Sequence, residues 1–418
     1  KYYEALLADP GNAQFHLTDP RGASDKSGRT FNNPYQYFFE QMHMDDAIYA
    51  DESIYEYPMQ QGGGNDGRPY SFGRPSSGGS KAAYPCKSYG QGRINPAYFY
   101  GIFDPNDMRR DVSITMTGSN GKGVEKLIPF VPNSKAEGGG LTLNKWDENR
   151  QANPWVAAQR KSGINGPYMR MSEVYLGYAE VCAALGDVVT GKQYLKTVRE
   201  RSFPQGLANT DAFIASFGND LVRAIIEERG FEYAGEGDRR WTLIRSGYLP
   251  EDIKRIKDMT KAMMDGLATK GYYEFENGNI ISAYIWTKLV DAKTIYGHRL
   301  TAQCPTDKVN DPVLYPGWRG QKDNWEEMGL NYGNSAPATN LAIKGLFEIV
   351  SEEEAASLES QGYAKVNWGI DLVDYRDEYD KYLFWDYDYV SAPIYLWPFT
   401  PNVMAAGGFT NGYGFKQE

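Results

Sequence analysis

Histidine and cysteine are both scarce in this chain, which has only His16, His43 and His298 and only Cys86, Cys182 and Cys304. The cysteines stand 96 and 122 residues apart, far from any CxxC spacing, and the histidines are scattered. Neither a zinc site nor a histidine-based catalytic triad therefore has an anchor, and no metal or other cofactor is expected. Cys182 falls among apolar neighbours on a predicted helix and reads as a small buried hydrophobe. Long apolar runs are missing too. Nothing approaches the roughly 18 residues that a spanning helix needs, and mean hydropathy is −0.58. Basic residues form no tract, and a net charge of −10 would repel a phosphate backbone, so nucleic acid is excluded as a partner. The N-terminus lacks the charged and apolar regions of a signal peptide, and "KYYEALLADPGN" reads as the last turns of a helix stopped at Pro10 and Gly11. The expectation is of a chain that starts inside a protein, with any signal peptide or lipid-bearing cysteine upstream of Lys1.

What is present is long enough, at 418 residues, for one large core or several ordinary ones. From about 58 to 140 the chain is rich in Gly, Ser and Pro ("QQGGGNDGRPYSFGRPSSGGSK", "SKAEGGG"), which predicts loops and short strands. Residues 168–203 differ. Met171, Val174, Tyr175, Tyr178, Val181, Cys182 and Leu185 follow helical spacing, Gly186-Asp187 supplies a turn, and a second helix follows. The span from Arg170 to Phe203 is one 34-residue unit of tetratricopeptide type, which cannot bury its apolar face alone. Helices predicted at about 211–234 and 251–266 can cover part of it. Beyond 271, "GYYEFENGNIISAYIWTKLV" looks strand-like, 305–340 reads as a loop, and "APIYLWPFTPNVMAAGGFTNGYGF" as a packed tail.

Charge is concentrated in "IIEERGFEYAGEGDRRWTLIRSG", residues 225–247, where five carboxylates and four arginines sit among apolar residues. Adjacent Glu227 and Glu228 point in different directions on a helix, so the spacing does not support an acid–base pair of the kind that cleaves glycosides. Arg239, Arg240 and Arg245 are matched by Glu228, Glu232, Glu236 and Asp238, which cancels the field an anion site would need. Buried charges persist only when paired, so the segment reads as scaffolding. "TGSNGKG", 117–123, fails as a phosphate loop because Met116 and Gly123 stand where Gly and Ser or Thr are required, and a hairpin or loop is expected instead. "DPNDMRRD", 104–111, lacks regular calcium-ligand spacing and reads as a solvated turn.

Aromatics make up 14% of the chain, with 32 Tyr, and many fall in the loop-rich part. Flat rings with polar edges suit the shape-based capture of sugars. The candidate ligand residues are Tyr70, Tyr84, Tyr89, Tyr98 and Tyr100, with Arg93 and Asn95 reaching hydroxyls.

The order "NGPYMRMSEVYLGYAEVCAALGD", "IIEERGFEYAGEGDRRWTLIRSG", "YLWPFTPNV…GFTNGYGF" resembles the SusD/RagB family of nutrient-binding outer-membrane lipoproteins, over 165–247 and 393–413. The resemblance implies a mainly α fold: tetratricopeptide-like helical pairs form a scaffold, and a loop-rich face carries short strands. It makes Arg170, Glu173, Glu180, Glu228, Arg229, Glu236, Gly237 and Arg239 structural signature rather than binding site. It also implies a non-catalytic glycan-capturing protein, lipid-anchored on the extracellular face of the outer membrane, with a SusC-like TonB-dependent transporter as partner. Oligopeptide capture is the alternative, and a glycoside hydrolase on a helical frame the third reading. Trp241-Thr242-Leu243 and Ala405-Ala406-Gly407 depart from the family pattern. The expected organisation is one unit over 1–418 lacking its N-terminal portion. Within it lie a ligand-face segment at 41–150, a helical scaffold at 165–266, an elaborated loop segment at 267–392 and a tail at 393–418.

Overall fold

Helix boundaries follow the punctuation of the chain. A computed structural model describes residues 1–9, 16–17, 19, 34–41, 52–62, 72–75, 88–119, 125–132, 139–146, 161–291, 339–383, 395–396, 399–408 and 410–411. In chain order these form α1 (Tyr2–Ala8), α2 (Pro34–Gln41), β1 (Ser53–Tyr57), a π-helical turn (Tyr98–Ile102), α3 (Arg109–Ser113), β2 (Ile114–Thr115), β3 (Thr117–Ser119), β4 (Glu125–Leu127), β5 (Thr142–Leu143) and β6 (Gly166–Arg170). The helical centre follows with α4 (Met171–Ala184), α5 (Val188–Arg201), α6 (Thr210–Ala215), α7 (Leu221–Glu232), α8 (Asp238–Ser246) and α9 (Leu249–Lys270). Then come β7 (Tyr272–Glu274), β8 (Ile280–Ser282), β9 (Tyr284–Asp291), β10 (Thr339–Lys344), α10 (Glu352–Ser360), β11 (Ala364–Asn367), α11 (Gly369–Asp374), α12 (Arg376–Leu383) and α13 (Pro401–Gly407). The fold is mainly α, with helical pairs of tetratricopeptide type and few, short strands.

The pair α4–α5 forms where the helical spacing predicts it. Asp187 closes the turn by accepting a hydrogen bond from the Thr190 N–H at the start of α5. Leu176, Ala179, Leu195 and Val198 on the facing sides meet Ile214, Leu221 and Ile225 from α6 and α7 in one apolar cluster. Each large apolar side chain buried there contributes about 1.5–3 kcal/mol relative to exposure. The single helix expected over 211–234 is two helices. Gly218 and Asn219 take φ of +66° and +63°, a left-handed pair that no right-handed helix can contain, and the Asp220 carboxylate then caps α7.

A second and larger core lies under α9. Met263, Met264 and Leu267 pack against Phe99, Tyr100 and Phe103 from the π-helical turn, Phe275 beyond β7, and Trp368 before α11. Ile285 on β9 and Leu341 and Ile343 on β10 belong to the same core, in an antiparallel sheet of order β10-β9-β11. The strand-like reading from 271 agrees with β7, β8 and β9, and the described residues 339–383 add two strands and three helices. Consecutive residues are buried in both strands, Ile285 and Trp286 on β9 and Leu341, Ala342 and Ile343 on β10, so both faces of the sheet are covered there, while Leu289 near the end of β9 is exposed. Residues 292–338 and Cys86 lie outside the described residues. Of "TGSNGKG", Thr117–Ser119 forms β3 and pairs antiparallel with β4, Thr117 opposite Leu127, and the rest of the motif lies outside the described residues. In the tail, Tyr395 packs against the apolar cluster of Ile226, Leu243 and Leu249. Among its described residues, α13 buries nothing, and Leu396, Phe399 and Val403 are exposed. No helix among the described residues is long and apolar enough to cross a membrane.

Candidate functional site

Helix α7 carries Glu228 and Glu232 four residues apart, hence on one face, and Glu227 on another. All three are buried. The Glu228 carboxylate accepts from Arg109 Nη1 at 2.7 Å and from Arg199 Nη1 at 2.6 Å. Glu232 takes Arg109 Nη1 at 3.1 Å, Arg201 Nη2 at 2.6 Å and Arg170 Nη1. Arg170 and Arg201 also share Glu52, which precedes β1. Asp107 holds the other edge of Arg109 with Nη2–Oδ2 at 2.7 Å, and Glu236 takes Arg170 Nη2 at 3.0 Å and Lys145 Nζ at 2.6 Å. Five cations (Arg109, Lys145, Arg170, Arg199, Arg201) thus meet five carboxylates (Glu52, Asp107, Glu228, Glu232, Glu236) in one interior cluster. Aromatic faces complete it: the Arg170 guanidinium lies 4.7 Å from the Tyr233 ring centre, and Lys145 Nζ lies 4.9 Å from that of Phe39.

The scaffold reading of 225–247 agrees with this geometry, but the expected pairing inside the segment is corrected. Only Arg229 with Asp238 and Arg239 with Glu227 pair within it. Glu228, Glu232 and Glu236 draw their cations from other parts of the chain, because α7 is central and its acidic face meets α3, α5 and β6. Arg229 also takes Glu173 at 2.6 Å, Glu180 pairs with Arg245 at the surface, and Gly237 starts α8 at φ +95°. Arg240 donates to the Tyr395 carbonyl oxygen at 3.2 Å. The second correction concerns 104–111, expected as a solvated turn: Asp107, Arg109, Arg110 and Asp111 are buried. The run of alternating charge there was the available signal, since a neutral set of charges can be folded inward.

Burial shapes the acid–base character of the cluster. Burial pushes the Glu227 carboxyl up, but Arg239 and Arg255 outweigh it and hold the group at about 2. Glu232 is likewise held well below the usual carboxylate range, burial being outweighed by Arg170, Arg201 and Arg109. Burial lowers Lys145 to about 8 despite Glu236.

Of the ligand residues expected from the sequence, Tyr70 and Tyr84 lie outside the described residues. Tyr89 is half-buried. Arg93 is also half-buried and donates to the Gly140 carbonyl oxygen, and burial lowers it to about 10. Three of these side chains hold the frame. Asn95 is bonded to Thr260 on α9 and caps the backbone N–H of Ala97. Tyr98 donates its hydroxyl to the Gly230 carbonyl oxygen at 2.8 Å. Tyr100 is fully buried, and its hydroxyl accepts from Trp368 Nε1 at 2.8 Å.

The exposed rings lie elsewhere. Strands β1 and β6 form a two-stranded antiparallel ribbon that carries Tyr55, Tyr57 and Tyr168, which are 57%, 54% and 76% exposed. The Tyr55 and Tyr168 rings stand edge to face, with centroids 5.7 Å apart and planes at 86°. Beside them Asn165 Nδ2 donates to Glu56 Oε2 at 2.9 Å. The alternation in "SIYEY" was the missed signal, since tyrosines two apart in a strand share a face. At the base of the ribbon, Ser53 pairs with Arg170, and both Glu52 and Arg170 belong to the buried ion cluster. Among the described residues, no group of His, Cys, Asp and Glu is arranged to hold a metal ion.

The model of the SusD family matches residues 15–399. SusD-like protein P25 of Formosa agariphila is 28% identical over 160 residues, which is 38% of this chain and 26% of that protein. Among solved structures, a SusD homologue from Bacteroides thetaiotaomicron is 20% identical with a TM-score of 0.41, over 56% of this chain and 49% of its own. Surface glycan-binding protein A from the same organism, in complex with laminarihexaose, is 18% identical with a TM-score of 0.40, over 60% and 50% respectively. The chain thus spans about half the length of these two structures and about a quarter of P25.

Proposed function

The chain belongs to the SusD family, and from that membership and the exposed tyrosines of the β1–β6 ribbon we propose that it is a cell-surface protein that captures oligosaccharide without cleaving it. The carrying observation is the Tyr55–Tyr168 pair on a ribbon rooted in the buried ion cluster. Rings held by a rigid base lose little freedom on binding, so a weakly stacking sugar can still be retained. On this reading Tyr89 and Arg93 extend the binding surface. The captured glycan passes to a SusC-like TonB-dependent transporter in the outer membrane, to which this protein is lipid-anchored on the extracellular side. Glu227 and Glu228 are both buried and bound by arginines, so this adjacent pair is engaged in the frame rather than open to a substrate as an acid–base couple.

Calorimetry of the protein against laminarihexaose, other glucan oligosaccharides and oligopeptides tests the proposal. Affinity in the millimolar to micromolar range is expected, about −4 to −8 kcal/mol. Combined Tyr55→Ala and Tyr168→Ala substitution should lower glycan affinity at least about tenfold, the loss of one to two stacking contacts. Because both rings are exposed, the unfolding temperature should hold. Binding of peptides but of no glycan would overturn the reading.

A further inference from the structure

A cleft of about 640 Å³ opens between the π-helical turn, α6, α7, α9 and β7, apart from the tyrosine ribbon in both its residues and its elements. Its size suits a small ligand of one or two rings. Phe213, half-buried, supplies aromatic surface, with the Arg199 guanidinium 3.7 Å from its ring centre, and Phe231 and Phe275 also line the cleft but are buried. Two guanidiniums line it, and each keeps a donor unused. Arg199 Nε and Arg255 Nε are buried, and neither has a hydrogen-bond partner among the described residues. Arg199 is 4% exposed and already gives Nη1 to Glu228, so its Nε–H is a fixed donor that the fold has desolvated and left unmatched. At the lip stand the exposed carboxylates of Asp104 and Glu276. They come to the same edge because Asn277 Nδ2 donates to the Phe103 carbonyl oxygen at 2.7 Å.

We infer that this cleft is a second binding site and that its ligand is a short neutral saccharide of one or two rings. The ligand class follows from three requirements met together. The aromatic surface needs an apolar face, the Nε–H groups need acceptor oxygens, and the carboxylates at the lip need hydroxyl donors. A sugar ring supplies all three. A hydrocarbon supplies only the first, and an anionic sugar such as a uronate is repelled by the exposed carboxylates of Asp104 and Glu276, neither of which forms an ion pair among the described residues. The inference rests on the oligosaccharide-capture reading for its ligand class. Its place in the fold is independent of the ribbon.

Methyl-labelled methionine separates the two sites in one spectrum. Met259 lines the cleft, and Met169 lies opposite Tyr55 in the ribbon. The probes are laminaribiose, cellobiose and maltose at millimolar concentration, with glucuronic acid as the anionic control. Signals are assigned through Met259→Leu and Met169→Leu. At least one disaccharide should shift Met259, and glucuronic acid should not. Asp104→Ala with Glu276→Ala, both exposed and outside the ion cluster, should weaken that shift at least fivefold while Met169 responds as before. Phe213→Ala should weaken it further. A Met259 signal unmoved by any disaccharide, while Met169 responds to longer glucan, overturns the cleft and leaves the ribbon standing. Met259 shifts that vanish with Tyr55→Ala and Tyr168→Ala but survive the cleft variants overturn it as well. Silence of both signals towards every saccharide removes both readings.

Discussion

Glu232 accepts from three guanidiniums, those of Arg109, Arg170 and Arg201, and is fully buried. Glutamine at this position keeps the shape but leaves those cations undercompensated inside the protein. The Glu232→Gln variant should therefore lose about 3–5 kcal/mol in urea unfolding. Arg245→Ala removes a pair whose arginine is about half exposed, and should stay within about 0.5 kcal/mol of the parent. Glu227 contributes to the pH dependence. Its folded value of about 2 lies below the ordinary 4.5, so its contribution is fully present above 4.5 and is lost as pH falls towards 2. Over that window the loss is on the order of 3 kcal/mol, and Glu232, also depressed, adds in the same direction. Unfolding followed between pH 6 and pH 2 should show stability flat above about 4.5 and falling below it. In Glu227→Gln the acid slope should be shallower.

At the scale of single elements, caps and turns do what local chemistry dictates. Helix α10 buries no residue, so its stability depends heavily on its ends. Ser351 and Glu354 form a reciprocal capping box there, and Ser351→Ala should cost about 1 kcal/mol and fray α10. Hydrogen exchange of the first amides of α10 would detect this, and unchanged protection would count against it. The same local signals made α4, α5 and α9 readable from periodicity. They also explain the error over 211–234, where Gly218-Asn219 was a turn signal passed over inside an apolar pattern. The ribbon β1–β6 was harder to see. Its strands are separated by more than a hundred residues, and no hairpin turn announces the pairing.

For the whole molecule, the ion cluster is the joint at which distant segments meet. Glu52 reaches Arg201 across 149 positions, and Arg109 reaches Glu232 across 123. Raising sodium chloride from 0.1 to 1 M shortens the screening length to about 3 Å, but it acts mainly on charges in solvent. Urea-derived stability should accordingly shift by less than about 1 kcal/mol. A larger loss would mean that the cluster is reached by solvent.

The sequence by itself determined the sign of the charge, the helical pairs, the role of 225–247 as frame and the family likeness, because each is written in local spacing or in a contiguous motif. Tertiary structure alone decided which cation meets which carboxylate, that Tyr98 and Tyr100 are spent on the frame, and that Tyr55 and Tyr168 stand exposed together. The reason is that exposure and pairing depend on neighbours brought in from far along the chain. Tyr100, for example, is fully buried, and the group that donates to its hydroxyl belongs to Trp368, 268 positions away.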